Sequence, residues 1–233
     1  MPPSIKPAIE TFMADIALMD KRFNSNLSKL TKRLQGMPDT ELIRTMQEAN
    51  FFQEMVDAGY DNALDKLDGE YAKVLQEAIK EAKKRGVDVL SGASLEGLQT
   101  LQEIDYQRLI GMGEIHANNL RSQLFSAIYT GGTYADIVAG LGEANLATHQ
   151  MNVMAYDSLK IFDDTARYKV FEGQDVRWTY VGPIDDRTRD ACLNTAGNEP
   201  QKGYTEKEIL SKKVETKFGT RGGFNCRHSW MVR

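Results

Sequence analysis

Apolar residues at Ile9, Phe12, Ile16, Met19, Phe23, Leu27, Leu30 and Leu34 recur every three or four positions. That period lines one side of a helix, and at ~1.5 Å per residue the stripe runs roughly 40 Å. Asp15, Asp20, Lys21, Arg22, Lys29, Lys32 and Arg33 fill the other faces, and Gly36 and Pro38 end the helix. Asp39 reads as the N-cap of a second helix, which carries Leu42, Met46, Ala49 and Val56 and stops near Gly59. A third, from about Asp61, aligns Leu64, Leu67, Tyr71, Val74 and Ala78 and ends at Arg85 and Gly86. Its closing KEAKKRG sets cations beside the last helix carbonyls, where the macrodipole favours them, so we read a solvated helix end rather than a nucleic-acid patch.

The turn-prone VDVLSGAS precedes a fourth helix over residues 95–129, with Leu109, Met112, His116, Leu120, Leu124 and Ile128 in line. Gly111 and Gly113 inside it mark a kink or a close helix crossing. TGGTYADIVAGLGEAN predicts a glycine-rich turn, a short helix and another turn. A helix over residues 143–170 follows, carrying Leu146, His149, Val153, Tyr156, Leu159, Phe162 and Ala166.

The pattern then changes period. VRWTYVGP alternates apolar and polar residues, which predicts a strand over residues 175–181. Short helices are expected near 187–195 and 205–217, and GGFNCRHSWMVR reads as a second strand pairing with the first. The expected fold class is mainly α with a small α+β C-terminal module: long amphipathic helices, then a short two-stranded sheet with short helices. The expected organisation is a helical arm or bundle over 1–140, a long connecting helix over 141–174, and the module over 175–233.

Composition narrows the partners. The 233 residues are 41% apolar, enough for an ordinary core, and the formal net charge is -4. Nucleic acid is therefore not indicated as a partner, although a balanced total leaves room for local contact. The first twenty residues hold no basic segment followed by an apolar run, and no stretch approaches the ~20 apolar residues of a membrane span. We expect no membrane association.

Candidate chemistry concentrates in the last quarter. Cys192 and Cys226 are open to three readings: packed free thiols, a disulfide, or part of a metal site. On an extended segment Cys226 and His228 share a face and can address one ion, with Cys192 approaching from the helix after DDRTRDAC. Sulfur with imidazole suits zinc. The fourth ligand would come from Asp186, Asp190 or water, and Asp186 serves equally as the N-cap of the helix it precedes. DDRTRD itself predicts a carboxylate–guanidinium network that tethers the turn to the terminal strand, or else holds a phosphate. His116 and His149 lie on apolar stripes and are expected as packed histidines. GTRGG lacks the lysine and hydroxyl of a phosphate loop, and GMG is no dinucleotide fingerprint.

The helix ATHQMNVMAYDSLKIF, the strand centred on Trp178, DDRTRDACLNTAG, a variable insert and FNCRH together resemble the C-terminal module of phage Mu F-like minor head proteins, the phage head morphogenesis family. The positions that match are Trp178, Asp186, Arg187, Thr188, Arg189, Cys192, Gly197, Asn225, Cys226, Arg227 and His228, and the region of resemblance covers about a third of the chain. The family pattern exchanges Cys and His at the positions of Cys192 and His228. Such an exchange suits a structural zinc site and argues against a disulfide. The resemblance implies a structural protein without turnover, part of a tailed-phage virion and assembled in the host cytoplasm. The implied partners are portal, capsid or connector proteins, with several copies in a symmetric assembly. The alternative is a metal-dependent nuclease or toxin-like hydrolase using the Cys/His site.

Overall fold

The computed structural model describes residues 5–87, 91–131 and 148–233. Among them the helices are α1 (Ile5–Leu34), α2 (Asp39–Glu48), α3 (Phe51–Ala58), α4 (Tyr60–Lys84), α5 (Gly92–Tyr129), α6 (Thr148–Phe171), α7 (Asp190–Gly197) and α8 (Glu206–Leu210). The strands β1 (Trp178–Val181) and β2 (Ser229–Val232) form one antiparallel pair. The fold is mainly α with a small α+β module, as the hydrophobic pattern predicts. The turn–helix–turn expected for TGGTYADIVAGLGEAN, the first residues of the helix after it, and the His149 side chain lie outside the described residues.

Two compact units are drawn from separated stretches of chain: one from Met1–Ile9, Asp68–Asp105 and Val153–Arg233, the other from Glu10–Leu67 and Tyr106–Asn152. In the second unit the α1 stripe is buried at Phe12, Ile16, Met19, Phe23, Leu27 and Leu34. The helix expected over residues 39–59 is two helices. Ala49 leaves helical geometry at φ -68° and ψ 123°, and the Asn50 side chain then accepts the Gln53 N–H to start α3. Asp39 is the first helical residue rather than the cap, which is Pro38.

Helix α5 runs unbroken through Gly111 and Gly113, and only Gly113 marks a close approach. A Cβ at Gly113 would stand 2.5 Å from Tyr60 Cε1, and the buried Tyr60 hydroxyl donates to the Leu109 carbonyl at 2.5 Å.

In the first unit β1 and β2 pair with Trp178 opposite Val232 and Tyr180 opposite Trp230. An isolated two-stranded ribbon is marginal in water. Here aromatic rings cover it: Phe171 and Phe218 meet Trp178 at centroid distances of 6.1 and 4.7 Å, and Tyr204 meets Trp230 at 5.5 Å. Tyr204 also exchanges backbone hydrogen bonds with Trp178, extending the ribbon by one bridge.

Helix α6 buries charged as well as apolar side chains. Asp157, Lys160, Asp163, Asp164 and Arg167 are buried alongside Leu159, Phe162 and Ala166. Arg167 pairs with Asp163 and with Glu81 of α4, and Tyr71 of α4 sets its ring edge-on to Phe162 at 4.8 Å. The KEAKKRG end of α4 is partly solvated as expected, with Lys83 and Lys84 exposed, but Arg85 donates to the carbonyls of Val232 and Arg233. The first expected short helix starts later, at Asp190. The second is only five residues long, because Lys217 Nζ gathers the carbonyls of Ile209, Ser211 and Val214 and holds the chain in a tight turn beyond Leu210.

Candidate metal centre

Helix α7 and the segment entering β2 bring three side chains together. Cys192, Cys226 and His228 are all buried, and their ligating atoms lie within 4.8 Å of one another, so the group can hold a metal ion. Cys192 sits in the first turn of α7, which Arg189 caps. Cys226 and His228 precede β2, which begins at Ser229. The left-handed backbone of Asn225, at φ 55°, turns the chain just before them. Both cysteines are free, with the sulfurs 3.7 Å apart.

The site is closed on one side by groups that sequence reasoning missed. The Tyr180 hydroxyl stands 3.4 Å from the Cys192 sulfur and 3.6 Å from that of Cys226, and its ring stacks on the His228 imidazole at 5.1 Å. Backbone approaches just as closely. A Cβ at Gly222 would fall 2.2 Å from the Cys192 sulfur, and one at Gly182 would fall 2.4 Å from the His228 ring. Neither position has room for a side chain.

The local charges suit a metal-binding form of Cys226 and His228 but not of Cys192. Burial pushes the Cys226 thiol up, but hydrogen bonds from the His228 N–H, the Tyr180 hydroxyl and the Gly222 N–H pull it down further, and the net shift is downward. Cys192 goes the other way, raised first by burial and then by the neighbouring Cys226 sulfur, against the bond from Tyr180. Burial, Lys160 and Arg227 all depress His228, which keeps the imidazole neutral and able to ligate. Its Nε2 is buried without a hydrogen-bond partner among the described residues.

Beneath the ligands runs the buried charge cluster of α6. Lys160 Nζ donates to the His228 carbonyl at 3.0 Å and to Ser229 Oγ at 2.5 Å. Arg221 donates to the Cys226 carbonyl at 2.9 Å and to Asp157 at 2.6 Å. Two buried cations thus hold the main chain at two of the three ligands. Neither carboxylate oxygen of Asp164 has a hydrogen-bond partner among the described residues, although Arg221 Nε stands 3.4 Å from one of them. Burial, then Asp163, pushes the Asp164 carboxyl up to about 7, against the pull of Lys160 and Arg221.

DDRTRD forms the tether. Asp185 takes Arg227 in a two-pronged ion pair, with Nη1 at 2.7 Å from Oδ2, and Arg227 first among its neighbours holds the carboxyl far below the usual range. Thr188 Oγ1 accepts the Asp185 N–H and donates to the Pro183 carbonyl, and Arg189 donates to the carbonyls of Gly222 and Phe224. The carboxylate that bridges to the terminal segment is therefore Asp185. Asp186 and Asp190 are exposed and stand outside the metal-holding group, and Asp186 caps no helix. Gly197 ends α7 with open space where a Cβ would go, and nothing in the structure requires glycine there. Trp178 is fully buried at the start of β1. His116 is half-buried on α5, and burial lowers its pKa.

The three candidate ligands line a pocket of about 170 Å³, to which Tyr180 does not contribute. Its remaining walls are Arg187, Thr188, Arg189, Asn225 and Arg227. No carboxylate among the described residues lines it. Among the described residues no helix is long and apolar enough to cross a membrane. No family model, curated protein or solved structure matches the chain.

Proposed function

We propose that this chain is a structural protein of a tailed-phage virion, a minor head protein acting in head assembly or at the portal and head-to-tail connection. In this reading the module over residues 175–233 is stapled by zinc through Cys192, Cys226 and His228. The observation that carries it is the convergence of the residues behind the resemblance. Trp178 anchors the strand, Thr188 and Arg189 fold the turn, Arg227 locks it, and both cysteines meet His228 in one buried group.

The sulfur spacing supports zinc. Two thiolates each ~2.3 Å from a tetrahedral ion stand about 3.8 Å apart, and those of Cys192 and Cys226 are 3.7 Å apart. The pocket lining supports holding over turnover. A nuclease or hydrolase needs a group to move a proton, and the lining offers arginines, a threonine and an asparagine but no carboxylate or spare imidazole.

Mass spectrometry of purified virions from the phage that encodes this chain tests the reading. The protein is expected in intact particles at a fixed copy number, portal and capsid proteins being its neighbours on cross-linking. Absence from purified particles overturns the assignment.

A further inference from the structure

Three protein donors leave one position of a tetrahedral metal unfilled. Asp186 and Asp190 lie outside the group, and the Tyr180 hydroxyl is spent on the two sulfurs. The space that all three candidate ligands share is the pocket they line. Arg187, Arg189 and Arg227 also line it.

Their remaining donors decide what fits. Both terminal nitrogens of Arg189 are committed to backbone carbonyls, and those of Arg227 to Asp185. The Arg187 guanidinium and the Asn225 amide are exposed at the pocket wall, and neither side chain has a hydrogen bond within the described residues. Two thiolates, one neutral imidazole and a divalent ion sum to zero charge, so the surrounding guanidiniums are not balanced by the centre itself. A volume of about 170 Å³ is below the ~300–1,000 Å³ of pockets that take whole drug-sized ligands. It suits one small oxyanion.

We propose that the fourth ligand of this metal comes from outside the chain and is a phosphate group, one oxygen on the ion and the others facing Arg187 and Asn225. The proposal rests on the metal reading above and adds to it an exchangeable position. A clasp that holds the module is thereby also a receptor for a phosphate group, either free or carried on a nucleic-acid backbone.

Cobalt substitution of the full-length chain tests both layers separately, because the visible bands of a thiolate-bound cobalt ion report its fourth ligand. One cobalt per chain, with bands that shift saturably on adding inorganic phosphate, is the expected result. Arg187→Gln should take up cobalt equally but need roughly tenfold more phosphate for the same shift, the worth of one charge-assisted hydrogen bond. A thymidine dinucleotide that reproduces the shift identifies a phosphodiester source; a shift with inorganic phosphate alone identifies the free anion or a monoester. Failure to take up cobalt overturns the metal reading and this inference with it. Stoichiometric uptake with a spectrum indifferent to phosphate overturns this inference alone.

Discussion

Lys160 reaches from the buried side of α6 to the backbone carbonyl of His228, 3.0 Å away and 68 residues along the chain. A buried ammonium is tolerated only where acceptors and counter-charges surround it, and here it has the His228 carbonyl, Ser229 Oγ and the Asp164 carboxylate nearby. Its position couples the helix to the segment that carries Cys226 and His228. Replacing it removes the cation and leaves its acceptors buried. Lys160→Met is expected to destabilise the chain by about 3 kcal/mol, read as a drop in Tm on the order of 10 °C. Lys160→Met with Asp164→Asn should recover part of the loss.

On the proposed zinc reading, removal of the metal should act on stability before anything else. Cys226→Ser and Cys192→Ser are each expected to abolish stoichiometric metal uptake and lower Tm, on the order of 10 °C. A chelator should bring the wild-type chain to the same Tm while leaving the two variants unmoved. A chelator-insensitive Tm in the wild type would contradict a structural metal.

Gly111 and Gly113 give opposite signs within one turn of α5. A Cβ at Gly111 meets nothing within 4 Å, so Gly111→Ala should stabilise by about 0.8 kcal/mol through helix propensity. At Gly113 the Cβ would overlap the Tyr60 ring, so Gly113→Ala should destabilise by about 1–3 kcal/mol. Chemical denaturation of both variants checks the contrast.

Asp20 supplies a pH dependence outside the metal centre. Burial raises its carboxyl from 3.8 to about 6. The folded chain therefore holds this proton more tightly than the unfolded one, and its contribution to stability is greatest below pH 4 and is lost as pH rises through 6. Asp20→Asn should gain about 1–2 kcal/mol at pH 7, allowing for partial exposure, and little at pH 4. Denaturation of both chains at the two pH values measures the difference.

The long helices were legible in the sequence because one apolar stripe dictates each of them. The break at Ala49 was not, since Leu42, Met46 and Val56 keep helical spacing across it and only Asn50 hints at a new cap. The meeting of Cys192, Cys226 and His228 in one group was legible from type and spacing, and the tether was legible as a network. Which aspartate closes it was not: Asp185 and Asp186 are adjacent and chemically identical, and the turn held by Thr188 chooses between them. The shell beneath the ligands was hidden for another reason. Asp157, Lys160, Asp164 and Arg167 look like the polar face of α6, and only packing on every side of that helix makes them interior. Gly182 and Gly222 carried no signal, because the need for glycine there arises from side chains distant in sequence.

The discontinuity of the two units bears on how the chain emerges from a ribosome. The unit of Glu10–Leu67 and Tyr106–Asn152 has all its residues once position 152 is made. The other holds Met1–Ile9 and Asp68–Asp105 in waiting until Val153–Arg233 arrives. Synthesis order therefore favours early closure of the first of these and leaves the unit with the Cys/His group to form last, by contacts that span most of the chain. A nascent chain would expose the unpartnered faces of α4 and the beginning of α5 for that interval, the period in which a chaperone or an assembly partner has access to them.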